Sequence, residues 1–360
     1  MMNMIPSRKI YGIAHTLAEG ISDIKVERPL GALEILSWMD GRRTLLQLKE
    51  FVSLERSQTF TDSQIKDLIR YIRLLDKYGY IEIKYKVKLD KEAIKKSLSE
   101  IGLEKRDIVF VHSSLSALGH IEGGADTVID AFLETLGPDG TLLMANHPAP
   151  FTIIEDGLGK CSRKGKQPFN PKTTPSSVGK IADTFWRRKG VMRSLHPSHS
   201  VAGIGPLAKE MLSGHSLTSK PFSRESPFGK MLDYDGYFLF FGVEMTSATF
   251  FHALEEWHNL PYLQEGKVLV DCNGREKEVT INGLPSGHRD FYTLPNKITS
   301  RLQKKKTDIK IKEVGLGQIK MVKAKELYEK LSEIINEEPD IFLCNSKECD
   351  FCSKWRRSLV

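Results

Sequence analysis

Ile108-Val109-Phe110-Val111-His112-Ser113-Ser114-Leu115-Ser116 decides the fold. The apolar run Ile108–Val111 reads as a buried strand, and it breaks at once into a polar string. Working outward, Ala125–Leu136 reads as a helix and Thr141–Met144 as a second strand. Ser177–Lys189 reads as a helix with Ile181 and Phe185 inward and Trp186 beside them. Tyr237–Phe241 follows as a strand and Thr249–His258 as a helix. Short apolar strands between amphipathic helices indicate an α/β domain with a buried sheet.

The chain has 360 residues, 40% hydrophobic and 28% charged, which is ordinary for a soluble globular protein of two or three domains. It contains no apolar run of about 18 residues. Met1–Pro6 lacks the apolar core of a secretory signal, so a cytoplasmic location is expected. The net charge of +7 sits at the two ends, with the middle of the chain near neutral. A modest basic excess of this kind reads as a solvated face, and nucleic acid is not the expected partner. Five cysteines, an odd number, argue against a disulfide scaffold.

Three regions are expected: residues 1–90, 91–338 and 339–360. In the first, the helix around Leu33–Met39 stops at Asp40-Gly41, Thr44 is an N-cap for a second helix, and Thr61–Gln64 opens a third. Its inward face is Ile65, Leu68, Ile69, Ile72 and Leu75. Tyr78-Gly79-Tyr80 closes it, and Ile81–Tyr85 alternates as a strand. This order resembles a small winged-helix module. The third helix has a mixed charged face, so docking of a peptide or carrier protein is preferred to base reading. Residues 86–100 read as a charged linker running into a helix.

A base that takes a proton near neutral pH is most naturally a histidine. His252 is the candidate, because it stands near the start of a helix after an apolar strand, where α/β enzymes place reactive groups. A carboxylate would hold its imidazole, and Glu122 and Glu255 are the two candidates. Glu255 is three residues on, on the same helix face. Glu122 lies in a loop and reaches the site only through the fold.

His112-Ser113-Ser114, Glu122-Gly123-Gly124-Ala125, His196-Pro197-Ser198-His199-Ser200, Ser226-Pro227-Phe228-Gly229 and Phe251-His252-Ala253-Leu254-Glu255 occur in this order. Together they resemble the aminoglycoside 3-N-acetyltransferases over about residues 98–335. The resemblance implies a central mixed sheet flanked by helices and acetyl-CoA as cosubstrate. It implies His252 as general base and Glu122 as its orienting acid, leaving Glu255 a supporting or acceptor-binding place. It also puts the cofactor at Ser113, Ser114 and Leu115, whose N–H groups past a strand are expected to be free, and near Arg193, Ser194, Ser226 and Phe228. Thr174 sits in a further hydroxyl-rich turn on that side.

The implied acceptor is an aminoglycoside or related amino sugar. A polycation calls for carboxylates, and Glu155, Asp156, Asp183, Glu255, Glu256 and Asp290 are available. Lys160, Arg163, Lys164 and Lys166 run against that by placing positive charge in a loop that could border the site. The competing expectation is a catalytically inactive protein that binds a partner through its N-terminal module.

Pro197 argues against a metal at His196 and His199. Cys344, Cys349 and Cys352 could supply three zinc ligands, with a histidine or partner chain as the fourth. Ordinary exposed thiols on a basic tail are the simpler expectation, and no metal is expected.

Overall fold

The computed structural model describes residues 4–8, 29–77, 80–85, 89–148, 153–156, 159–160, 168–261, 263–285, 294–315, 317–344 and 349–358. It divides into two compact units. One is Met1–Lys88 with Gly315–Gly317, and the other is Leu89–Val314 with Gln318–Val360.

The smaller unit runs β1 (Met4–Arg8), α1 (Ala32–Trp38), α2 (Leu45–Glu55), α3 (Asp62–Lys77) and β2 (Ile81–Tyr85). Asp40 makes the turn after α1, its carboxylate accepting from the backbone N–H groups of Arg42 and Arg43 at 2.9 and 3.0 Å. Thr44 and Gln47 form a reciprocal capping box that starts α2. The inward side chains Ile35, Leu36, Leu45, Leu48, Val52, Leu68, Ile72 and Leu75 close one apolar core, with Ile65 at its margin. β2 pairs antiparallel with β1, Met4 opposite Tyr85. That partner from the start of the chain carries no signal in the sequence. Tyr78 and Gly79 lie outside the described residues.

The larger unit opens with α4 (Lys91–Glu100), capped by Asp90. It continues through β3 (Ile108–Ser113), α5 (Gly124–Leu136), β4 (Thr141–Ala145), β5 (Ile153–Asp156) and β6 (Gly159–Lys160). Then come α6 (Lys180–Trp186), β7 (Met192–Arg193), β8 (Val201–Ile204), α7 (Ala208–Leu212), α8 (Pro227–Asp233), β9 (Tyr237–Phe241) and α9 (Phe250–Trp257). The chain closes with β10 (Leu263–Cys272), β11 (Arg275–Pro285), α10 (Leu294–Lys304), β12 (Lys310–Val314), β13 (Gly317–Lys323), α11 (Ala324–Glu337) and α12 (Asp350–Ser358).

The main sheet has the order β12-β13-β9-β3-β4-β8-β7. β3 is parallel to β4 and β9, whereas β13, β8 and β7 join antiparallel, so the sheet is mixed. Alternation along the strands supplies both faces. Phe110, Phe238 and Phe240 enter one apolar layer with Phe228 and Phe250. Val109, Val111, Leu239 and Phe241 enter the other with Val128, Ile129 and Phe132 of α5. A smaller sheet orders β11-β10-β5-β6.

Two sequence expectations change. The helix expected from Ser177 begins only at Lys180, because Ser177 donates its N–H to the His147 carbonyl at 2.7 Å and Gly179 takes φ of 105°. The tail is no exposed strand of thiols either. Ile341, Phe342, Leu343, Cys344 and Cys352 are buried, and α12 packs over them.

Candidate active site

The sheet order determines which side chains meet. Parallel β3, β4 and β9 all end at one edge, where α/β folds bind ligands. His112 and Ser113 end β3, Asn146 and His147 follow β4, and Gly242 follows β9. β8 runs opposite to β4 with Val201 facing Ala145, so the segment before it, His196–Ser200, reaches the same edge. Arg193 ends β7 there, and the Ser194 N–H pairs with the Val201 carbonyl at 2.9 Å.

Gly242 lets the chain leave β9 at this edge. Its φ is 73°, and a Cβ there would stand 3.0 Å from the Ser114 carbonyl oxygen and from Leu118. The loop then enters α9, whose third residue is His252.

His252 and Glu255, one helical turn apart, form a hydrogen bond of 2.8 Å between Nδ1 and Oε2. Glu255 is fully buried, and the His252 side chain keeps 16% of its surface exposed. A buried carboxylate is strongly stabilised only by a close partner, so the pair is mutually required. With Nδ1–H donated to the carboxylate, the imidazole carries its lone pair on Nε2, which suits it to accept a proton.

Around this pair lies a histidine cluster. Phe222 lies 5.4 Å from the His252 ring and 4.8 Å from His199, and His147 lies edge-on to His199 at 4.8 Å. His196 stacks on His215 at 4.6 Å, and His112 stacks on Phe240. Burial, and then the charge of His147, pushes His112 down to about 3. Burial, then His252 and Arg193, pushes His147 down to about 4. Burial likewise carries His196 down to about 3 and holds His199 and His215 well below the usual histidine value. At neutral pH these five are uncharged. The sequence motifs drew attention to His112, His196 and His199. His147 and His215 carried no local signal, because only the strand edges bring them in.

The carboxylate that meets His252 is Glu255. Glu122 is exposed in the turn before α5, its N–H donating to the Leu89 carbonyl at 2.9 Å. Ser113 belongs to β3, opposite Phe241, and the Ser114 N–H donates to the Phe241 carbonyl at 2.9 Å. The Ser114 N–H is therefore committed to the sheet, contrary to the expectation. Leu115 packs against the core layer that contains α5.

Arg193 is half-buried and threads the edge together. It donates to Ser200 Oγ, the Thr174 carbonyl and the Asn146 carbonyl at 3.0, 2.5 and 3.0 Å, and lies over the Trp186 ring at 4.8 Å. Burial lowers it to about 10. Its guanidinium is thus engaged with two backbone carbonyls and a hydroxyl, which ties those segments together. Thr174 Oγ1 accepts from the Asn170 N–H at 2.8 Å. Ser194 Oγ accepts from the Val201 N–H and meets His215 Nδ1 at 3.0 Å. Ser226 donates to the Ser223 carbonyl at 2.6 Å. Phe228 is fully buried between Phe110 and Phe222. The side chains of Ser194, Ser226 and Phe228 are committed inside the fold.

Of the acidic residues, Asp183 accepts from the Ser176 N–H, Trp186 and Arg187, and Glu256 pairs with Lys220 at 2.5 Å. Asp290, Arg163, Lys164 and Lys166 lie outside the described residues. His196 Nε2 meets the Ser219 carbonyl at 3.1 Å, and its Nδ1 accepts from the His199 N–H at 3.1 Å. Both ring nitrogens are used within the protein, as expected of a loop histidine.

A histidine paired to a buried carboxylate at the carboxyl edge of an α/β sheet is an arrangement able to accept a proton from a bound substrate. The family model for aminoglycoside 3-N-acetyltransferase matches residues 110–336. The chain is 30% identical over 195 residues to aminoglycoside N(3)-acetyltransferase III of Acinetobacter baumannii, covering 52% of this chain and 68% of that protein. It is 30% identical over 182 residues to the prophage-derived aminoglycoside N(3')-acetyltransferase-like protein YokD of Bacillus subtilis, covering 48% and 66%. The crystal structure of aminoglycoside acetyltransferase AAC(3)-IVa superposes with a TM-score of 0.63 at 25% identity, covering 76% of this chain and 98% of that one. The chain belongs to the aminoglycoside 3-N-acetyltransferase family and is an N-acetyltransferase of that fold. An inactive binding protein finds no support in these matches. Among the described residues, no helix is long and apolar enough to cross a membrane.

Proposed function

We propose that this protein acetylates a primary amine of an aminoglycoside or related amino sugar, with His252 as the base and Glu255 as the residue that positions it. The observation that carries the reading is the 2.8 Å pair of His252 and fully buried Glu255 at the ligand-binding edge of the sheet. Acetyl-CoA, when bound, supplies the acetyl group as an activated thioester. His112 Nε2, Asn146 Oδ1 and His147 Nε2 fit its amide-rich arm. They are buried polar atoms at that edge without a protein partner among the described residues. A neutral imidazole nitrogen donates or accepts according to its tautomer, and the Asn146 amide oxygen accepts.

The acceptor nitrogen bonds to the thioester carbonyl carbon and gives a proton to His252 Nε2, the C–S bond breaks, and the leaving sulfur takes that proton from the imidazolium, which Glu255 stabilises meanwhile. Phe222 and the neutral histidines exclude water around the pair. The N-terminal unit, with Trp38, Phe51 and Leu54 exposed, is assigned to docking of a peptide or carrier protein.

The test is CoA release from acetyl-CoA with a panel of aminoglycosides and simpler amino sugars. Chromatography of the acceptor separates transfer from hydrolysis. His252→Ala should fold, bind CoA and lose at least about a hundredfold in turnover. Full activity in that variant would remove His252 from the mechanism.

A further inference from the structure

We infer that Cys344, Cys349 and Cys352 form a zinc site that fastens the C-terminal helix to the catalytic unit. These residues lie beyond the segment that matches the family model. Their three sulfur atoms all fall within 4.8 Å of one another, although four residues separate Cys344 from Cys349 in the chain. Sulfurs sharing a tetrahedral zinc at about 2.3 Å stand roughly 3.8 Å apart. The thiols therefore need to close by only about an ångström to share one ion. Soft thiolates in this number favour zinc, and an iron–sulfur cluster would call for a fourth cysteine. Water or an added donor would complete the tetrahedron.

Burial pushes the Cys352 thiol up to about 12, so charged sulfur here needs a bound cation and nearby donors to compensate it. Cys344 and Cys352 are buried and Cys349 is half-buried. The Cys352 N–H lies 3.5 Å from Cys349 Sγ, which spreads thiolate charge onto the backbone of α12. Arg356 places a guanidinium beside the cluster, donating to the Cys344 carbonyl at 2.6 Å and to Asp340 at 3.0 Å. A disulfide would use two sulfurs and strand the third.

The site also has a mechanical consequence. Phe342, two residues before Cys344, stacks on Phe251 at 5.6 Å, and Phe251 precedes His252. Leu260 packs against both the main core and the cysteine cluster. An ion here holds the segment that backs α9.

The experiment is metal analysis of the full chain purified without chelator, followed by cobalt titration of the stripped protein. About one zinc per chain is expected, and cobalt should give a thiolate charge-transfer band at one equivalent. Zinc should be lost in Cys349→Ser and retained in Cys272→Ser. Chelation should lower Tm, and zinc, not magnesium, should restore it. Background zinc with no cobalt band in the wild-type chain would overturn the site whether or not the variants fold. So would a disulfide between any two of the three in the protein as isolated.

Discussion

Glu255→Gln tests the positioning role most directly. Glutamine fills the same space, and its amide oxygen can still accept from His252 Nδ1–H, so shape and tautomer survive while the charge is lost. Two full charges at the 2.8 Å separation, in an effective dielectric of about 20, attract by roughly 6 kcal/mol. Only the change between neutral and partly protonated imidazole affects the rate. Half a proton transferred at the transition state leaves roughly 3 kcal/mol, about a hundredfold in kcat. CoA affinity should be unchanged, and Tm equal or higher, because an amide is easier to bury than a carboxylate. Steady-state CoA release and a CoA titration supply both readouts. Glu122→Gln, an exposed change, should keep near-wild-type kcat. A wild-type rate for Glu255→Gln, or a hundredfold loss for Glu122→Gln, would refute the reasoning and give the orienting role to Glu122.

Acid should unfold the larger unit early. The folded values of His112 and His196 lie near 3, well below 6.5 in the unfolded chain, so the unfolded state binds protons that the folded state refuses. Above pH 6.5 neither contributes. Below it, each removes roughly 1.4 kcal/mol of stability per pH unit until about pH 3. Thermal melts from pH 7 to 5 should show a steep fall, and a flat Tm would contradict neutral burial. Arg193→Lys should destabilise by on the order of 3 kcal/mol, since an ammonium cannot span the Ser200, Thr174 and Asn146 contacts; denaturant melts measure it. Thr44→Ala should cost the smaller unit about 1 kcal/mol through the lost cap, seen as faster amide exchange in α2.

Much of the sheet was legible because its central strands are short apolar runs with sharp polar ends. β3, β4 and β9 fall where Ile108–Val111, Thr141–Met144 and Tyr237–Phe241 placed them. β7 and β8 are too short for periodicity to register. The β10–β11 hairpin had a readable signal in Asn273-Gly274 between alternating runs, a turn that takes positive φ at both residues. In the site, the i, i+3 spacing identified the His252 and Glu255 pair locally, whereas family likeness favoured Glu122. The burial of Ser194, Ser226 and Phe228 was not legible, since a turn sequence looks alike whether it faces a ligand or the core.

The charge state of the histidine cluster bears on why such a base serves a cationic acceptor. Glu255 with His252 in its base form presents one negative charge, and His112, His147, His196, His199 and His215 add none. An ammonium approaching this edge meets the Glu255 charge without five imidazolium ions beside it. When His252 takes the proton, the pair becomes neutral as an ion pair, so the acceptor's charge is absorbed without leaving an isolated buried cation. Burial of the surrounding histidines, which weakens the fold in acid, is thus the same feature that keeps the site receptive to an amine near neutrality.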